Sequence, residues 1–169
     1  MQLRRLIRHV SASHWRTRLK FPQSTLDAIE AAVGLAERTH AGEIRFAIEN
    51  SLAPLKVIND LSPRARALEV FAHLRVWDTA CNNGVLIYVQ LADRAVEIVA
   101  DRGLHERVPQ SEWEAVCRLM ERHFREGRYQ AGAIAGVEAV GTLLARHFPA
   151  AARVGPVAEN ELPDRPTLL

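Results

Sequence analysis

The order of hydrophobic patterns along the 169 residues predicts an α/β protein. The expected form is a three-layer α/β/α sandwich: a small mixed sheet of three or four strands with helices on both faces. Three observations carry this. Glu43–Glu49 alternates polar and apolar residues, the signature of a strand with one face buried. Residues 85–91 form a nearly continuous apolar run, the signature of a strand covered on both sides. Helical spacing separates these two segments and resumes after a third strand at Ala95–Ala100.

Leu3, Leu6, Ile7, Val10 and Trp15 repeat at roughly helical spacing, so residues 1–20 read as one basic amphipathic helix. Residues 22–41 read as a second helix, with Gln23 or Ser24 as cap, Leu26, Ile29, Ala32, Val33 and Ala36 as its inner face, and Gly42 as its stop. Residues 50–61 read as loop. Ser62 caps the next helix, Pro63 fits its first turn, and Ala67, Leu68, Phe71 and Leu74 face inward. Ala92, Asp93 and Arg94 make a turn too short for anything but an antiparallel hairpin. Asp101, Arg102 and Gly103 terminate the third strand. Ser111 and Glu114 have the spacing of a capping box ahead of Trp113, Val116, Leu119, Met120 and Phe124, and Gly127 ends that helix. Tyr129–His147 is the last helix, with Gly132, Gly136 and Gly141 spaced for close packing on the sheet. The organisation is then a helical segment at 1–20, a domain at 21–149, and a flexible Pro- and Ala-rich tail at 150–169.

Composition excludes several classes. The chain is 48% hydrophobic and 25% charged, within the ordinary range of folded proteins. Its two cysteines, Cys81 and Cys117, are far apart, which excludes a disulfide scaffold or a CxxC motif and suits a reducing compartment. Arg4, Arg5, Arg8, Arg16, Arg18 and Lys20 precede the first acid, Asp27. Removing these six from the 22 basic residues leaves 16 against 20 acidic ones, a net −4. No apolar run follows them, so they do not read as a signal peptide, and no segment reaches the roughly 20 apolar residues of a membrane span. The expected location is cytoplasmic, with residues 1–20 offering peripheral contact to an anionic (inner) membrane surface or to an acidic protein partner. Nucleic acid is not expected, because aromatic residues do not interleave with the basic ones.

The topology then concentrates polar chemistry. If the first two strands are parallel and the third runs back, three loops meet at one edge: residues 40–43, 78–84 and 101–103. Glu43, Asp78, Asn82, Asn83 and Asp101 are hard oxygen ligands suited to Ca²⁺ or Mg²⁺. Around such an ion, Asp101 reads as a catalytic carboxylate and Arg102 as the cation facing a phosphoester's developing charge. Taken singly, the same residues also read as turn and strand-end chemistry. Cys81 with His40 is a weaker nucleophile–base pair. No Walker A, GxGxxG or GxSxG motif is present.

A set of segments resembles the TPM domain family. They are Glu43-Ile44-Arg45-Phe46; Arg66-Ala67-Leu68-Glu69-Val70-Phe71 with Trp77-Asp78-Thr79; and Asn82-Asn83-Gly84-Val85-Leu86-Ile87-Tyr88-Val89. They continue with Asp93-Arg94-Ala95-Val96-Glu97-Ile98-Val99, Asp101-Arg102-Gly103, Trp113 and Phe124-Arg125-Glu126-Gly127-Arg128-Tyr129. The resemblance covers about residues 24–148. It implies an α/β/α sandwich; plant thylakoid members are linked to photosystem II repair and described as acid phosphatases, and bacterial members include divalent-cation binders. Carried over, the cation positions are Asp78, Asn83 and Asp101. The family often has a signal peptide and a membrane helix or Gly-rich tail, so this chain reads as a short cytoplasmic bacterial branch. Relatives also often carry an acid between Gly103 and the Trp113 helix, where only Glu106 stands here. The resulting expectation is a TPM-type domain with a cation site and metal-assisted phosphatase chemistry; the alternative is a non-catalytic adaptor.

Overall fold

The computed structural model describes residues 2–12, 14–150 and 160–169. In chain order its elements are α1 (Gln2–Val10), α2 (His14–Lys20), α3 (Gln23–Ala36), β1 (Glu43–Glu49), α4 (Pro54–Ile58) and α5 (Pro63–His73). There follow β2 (Gly84–Gln90), β3 (Ala95–Ala100), α6 (Arg102–His105), α7 (Gln110–Arg125), α8 (Tyr129–His147) and β4 (Thr167–Leu168). The sheet has four strands in the order β3-β2-β1-β4. β1 and β2 are parallel, with Glu43 opposite Gly84; β2 and β3 are antiparallel, with Val85 opposite Ala100.

Alternation along the strands sorts side chains into two cores. Ile44, Phe46, Ile48, Val85, Ile87, Val89, Val96 and Ile98 face one side and pack with residues of α3, α7 and α8. Ala47, Leu86, Tyr88 and Val99 face the other and meet Ala67 and Val70 of α5, with Val76 and Leu162. All seven β2 residues are buried, because this strand has a strand on each edge and a helix layer on each face. The three-layer reading therefore holds.

Several local readings also hold. Ser62 Oγ accepts the Ala65 amide at 3.1 Å, capping α5. Gly127, with φ +75°, takes the left-handed conformation that ends α7. Others need correction. The helix expected over residues 1–20 is instead two, Gln2–Val10 and His14–Lys20. The loop at 50–61 contains α4. Asp101 caps a further short helix, α6, its Oδ1 accepting the Arg102 amide at 2.7 Å. The capping box is not formed: α7 begins at Gln110 behind Pro109, so Ser111 lies inside the first turn, and no side chain caps the helix. The α8 glycines meet helices rather than the sheet. Gly132 faces His123 and Phe124, Gly136 faces Met120, and Gly141 faces Ala36.

The largest correction is at the C-terminus, where residues 160–169 do not read as a loose tail. Thr167–Leu168 pairs parallel to β1. Leu162 is buried in the second core. Arg45 donates to the carbonyls of Pro163 and Arg165 and to Thr167 Oγ1. The open edge of β1 offers unpaired backbone groups, and a strand distant in sequence satisfies them. The tail expected at 151–159 lies outside the described residues.

Candidate functional site

The loop edge is built around Gly84. Its carbonyl accepts the Asp101 amide at 2.9 Å, so Glu43, Gly84 and Asp101 occupy one rung across three strands. A Cβ on Gly84 would overlap the Val76 carbonyl oxygen, so that backbone lies directly over the middle of the rung. Two strand spacings put the Glu43 and Asp101 backbones about 10 Å apart. One hard cation takes its ligands at about 2.0–2.6 Å. Glu43 and Asp101 thus share a rung, with the Val76 backbone between them. The Glu43 Oε2 instead accepts the Leu162 amide at 3.4 Å, under the C-terminal segment.

The remaining predicted residues divide in the same way. Asp78 is half exposed and lies 3.1 Å from Arg75. Asn82 and Arg102 do meet: Arg102 Nε donates to Asn82 Oδ1 at 2.9 Å. Gly103 N–H donates to the Asn82 carbonyl at 3.0 Å, and a side chain at 103 would collide with that carbonyl. Asn82 itself has φ +51°, a conformation asparagine tolerates better than most residues. Asn83 is 2% exposed. Its amide donates to Thr79 Oγ1 at 3.1 Å, its side-chain Nδ2 to the Ala41 carbonyl, and its carbonyl accepts the Glu43 amide at 3.2 Å. These bonds tie the three predicted loops together.

Two oxygen atoms are left over. Asn83 Oδ1 and Asp101 Oδ2 are buried and have no hydrogen-bond partner. An acceptor removed from water without replacement costs about 1–3 kcal/mol, so these atoms are suited to an ordered water or a cation. Among the described residues no group of three or more His, Cys, Asp or Glu side chains is placed to hold a metal. The carboxylate oxygen of Asp101 and the amide oxygen of Asn83 are the unpaired acceptors of this edge. The Cys81–His40 pair is not assembled: Cys81 is exposed, while His40 is fully buried with its Nδ1 accepting the Gly42 amide at 3.2 Å.

The opposite end of the sheet, where Glu49 and the Asp93-Arg94 turn lie, gathers further charged groups. Glu49 accepts from Arg66 at 2.8–3.2 Å and from the Tyr88 hydroxyl. Burial and the Glu49 carboxylate push the Tyr88 hydroxyl far above its usual range. Nearby, Asp93 in the β2–β3 turn accepts from Arg5 Nε at 3.0 Å and Nη2 at 2.8 Å. His9 Nε2 lies 3.1 Å from the same carboxylate, while its Nδ1 accepts the Leu52 amide at 2.9 Å. Burial raises Asp93, but the bonds from Arg5 and His9 outweigh it and hold the carboxyl below its ordinary value of 3.8. A charged residue in a hairpin turn and two basic residues 84 and 88 positions away show no shared pattern in sequence.

A mixed sheet covered on both faces, with polar loop residues gathered at one edge, defines a small α/β/α domain. The TPM domain family model matches residues 21–143, and the chain belongs to that family. It is similar to the BA42 protein of the psychrophilic bacterium Bizionia argentinensis. The identity is 29%, 86% of this chain and 92% of that one are covered, and the TM-score is 0.72. It also shares its fold with the N-terminal domain of a protein from P. gingivalis. There the identity is 23%, the coverage 75% and 79%, and the TM-score 0.58. No curated protein matches the chain. No helix among the described residues is long and apolar enough to cross a membrane.

Proposed function

We propose that this TPM domain binds one divalent cation, Mg²⁺ or Ca²⁺, at the loop edge, and acts there on a phosphoester. The observation that carries the reading is the pair of buried acceptors without partners, Asp101 Oδ2 and Asn83 Oδ1. Asn83 and Asp101 are linked only through the backbone, since Asn83 precedes Gly84 and the Gly84 carbonyl accepts the Asp101 amide. A divalent ion held at Asp101 Oδ2, with water completing its shell, would supply Lewis-acid polarisation of a phosphoryl oxygen. Arg102 is exposed beside it and is oriented by Asn82, a position from which it meets the charge of a phosphoester. Glu43 and Asp78 have no part in this reduced set.

Calorimetric titration of the full chain with Mg²⁺ and with Ca²⁺ tests the proposal, followed by p-nitrophenyl phosphate turnover. Asp101→Asn should remove both binding and turnover. Arg102→Ala should keep cation binding and lower turnover by about 10²-fold. A wild-type protein that takes up neither ion refutes the reading.

A second reading, the non-catalytic adaptor, is favoured by how α1 docks. It turns polar residues inward, with His9 3% exposed and Arg5 on Asp93, and leaves Leu3, Ile7 and Val10 at 56–69% exposure. Arg4 and Arg8 are exposed on the same helix, and α4, packed against α1, adds exposed Leu55 and Ile58. Apolar side chains among cations suit an anionic lipid surface, and this would place the protein peripherally on a membrane. Sedimentation with phosphatidylglycerol vesicles should capture the protein, and phosphatidylcholine vesicles should not. Ile7→Asp should release it; equal capture of that variant rejects the surface.

A further inference from the structure

The carboxyl ends of β1 and β2 point away from the loop edge. In open α/β sheets this is the end where ligands usually lie. Here it borders a cavity of about 250 Å³. One wall is apolar, from Val89 and Leu91 at the end of β2 and from the rings of Phe124 and Tyr129. Those rings stack with centroids 5.4 Å apart and an interplanar angle of 24°, and Phe21 meets both edge-on, so the wall is rigid. The other wall carries Lys20, Arg94 and Arg125 against a single carboxylate, Glu121.

The cations are placed by different elements, so their convergence belongs to the tertiary fold. Lys20 closes α2 and sits 5.1 Å over the Tyr129 ring. Arg125 ends α7, and its guanidinium is 3.7 Å from Glu121, a loose pairing. Glu121 also accepts the Val96 amide at 3.3 Å, which divides its charge between two donors. Arg94 has φ +57°, a left-handed backbone that an arginine adopts only at some cost. Its neighbour Asp93 is pinned by Arg5 and His9, so the strained turn is held in one place. An excess of two positive charges beside an aromatic wall is complementary to an anion with a flat apolar body.

We infer that this cavity binds a small organic anion: a carboxylate or phosphate carried on an aromatic or similarly apolar frame. The anionic group meets Arg94, Arg125 and Lys20, and the frame lies against Phe124 and Tyr129. This site is separate from the loop edge and does not depend on the cation proposed there.

The test titrates the full-length protein with 1-naphthoate, 1-naphthyl phosphate and neutral 1-naphthalenemethanol, followed by amide shifts in two-dimensional NMR. One of the two anions should shift the amides of Leu91, Arg94 and Tyr129 and bind at least about tenfold more tightly than the alcohol, with affinity falling as salt rises. The tighter anion identifies the head group. Arg94→Ala with Arg125→Ala should weaken that binding about tenfold or more while thermal unfolding stays near wild type, since both side chains are exposed. Asp101→Asn should leave it unchanged. Equal affinity for the neutral alcohol, no shift with either anion, or shifts centred on residues 82–84 and 101–103 would overturn the inference.

Discussion

The two ends of the sheet are held together by different means. At the amino ends of β1 and β2, loops are joined backbone to backbone. Asn82 bonds Gly103, Asn83 bonds Glu43, and Gly84 bonds Asp101. Glycines 84 and 103 stand where a Cβ would strike a carbonyl. At the carboxyl ends, the backbone bonds from Leu91 to Glu49 and from Ala92 to Asn50 are joined by long charged side chains: Arg66 reaches Glu49, and Arg5 reaches Asp93. The first arrangement tolerates no added atom but leaves two acceptors open. The second tolerates more change in shape, but each contact depends on charge. Close packing makes an end rigid, and ionic reach makes it responsive to pH and salt.

Four experiments press on that difference. The largest effect belongs to the tight end. Gly84→Ala must push the Val76 backbone aside, and denaturant unfolding should show a loss of about 3 kcal/mol or more. The next belongs to the ionic end. Arg66→Met leaves the Glu49 carboxylate and the Tyr88 hydroxyl buried without their cation, and the same measurement should show a loss of about 2–3 kcal/mol. Full recovery in a Glu49→Gln, Arg66→Met double variant would show that the uncompensated charge is the cause.

A smaller and local effect comes from acid. The Asp93 carboxyl is held below 3.8 in the folded protein, so its contribution is present above that pH and is lost as the pH falls through the lowered value. Hydrogen exchange of α1 amides should therefore accelerate below about pH 4, before the central strands open. Asp93→Asn should produce the same local opening at neutral pH. The smallest effect is chemical. Burial and the nearby carboxylates of Glu97 and Glu121 push the Cys117 thiol up to about 12, whereas Cys81 is exposed. Iodoacetamide at pH 8 should label Cys81 and leave Cys117 unmodified, as read by peptide mass. Early labelling of Cys117 would mean that the packing of α7 against β3 opens readily.

The central elements were legible because each satisfies a local rule. Strict alternation placed β1, an apolar run placed β2, and a three-residue turn forced β3 to pair with it. Ser62 and Gly127 supplied caps whose chemistry acts within one helical turn. The loop edge was also half visible. Parallel pairing of β1 and β2 brought residues 40–43, 78–84 and 101–103 together as expected. The separation of Glu43 from Asp101 was not visible, because Val76 passes over Gly84 between them. Nothing near position 76 in the chain signals that. The capping box failed for a similar reason: Ser111 and Glu114 have the right spacing, but Pro109 sets an earlier start.

Periodicity, glycine and proline placement, and short-range capping thus specify which segments become helices or strands and which family they make. They act over a few residues, so one chain can be read for them directly. The closing strand β4, the burial of His9 beside Arg5 and Asp93, the burial of Asp101 at the loop edge, and the meeting of Lys20, Arg94 and Arg125 depend on contacts between residues many positions apart. Such contacts form when separate surfaces find matching shape and charge in the folded chain. Their energy belongs to the pair and leaves no mark in the local pattern of either member.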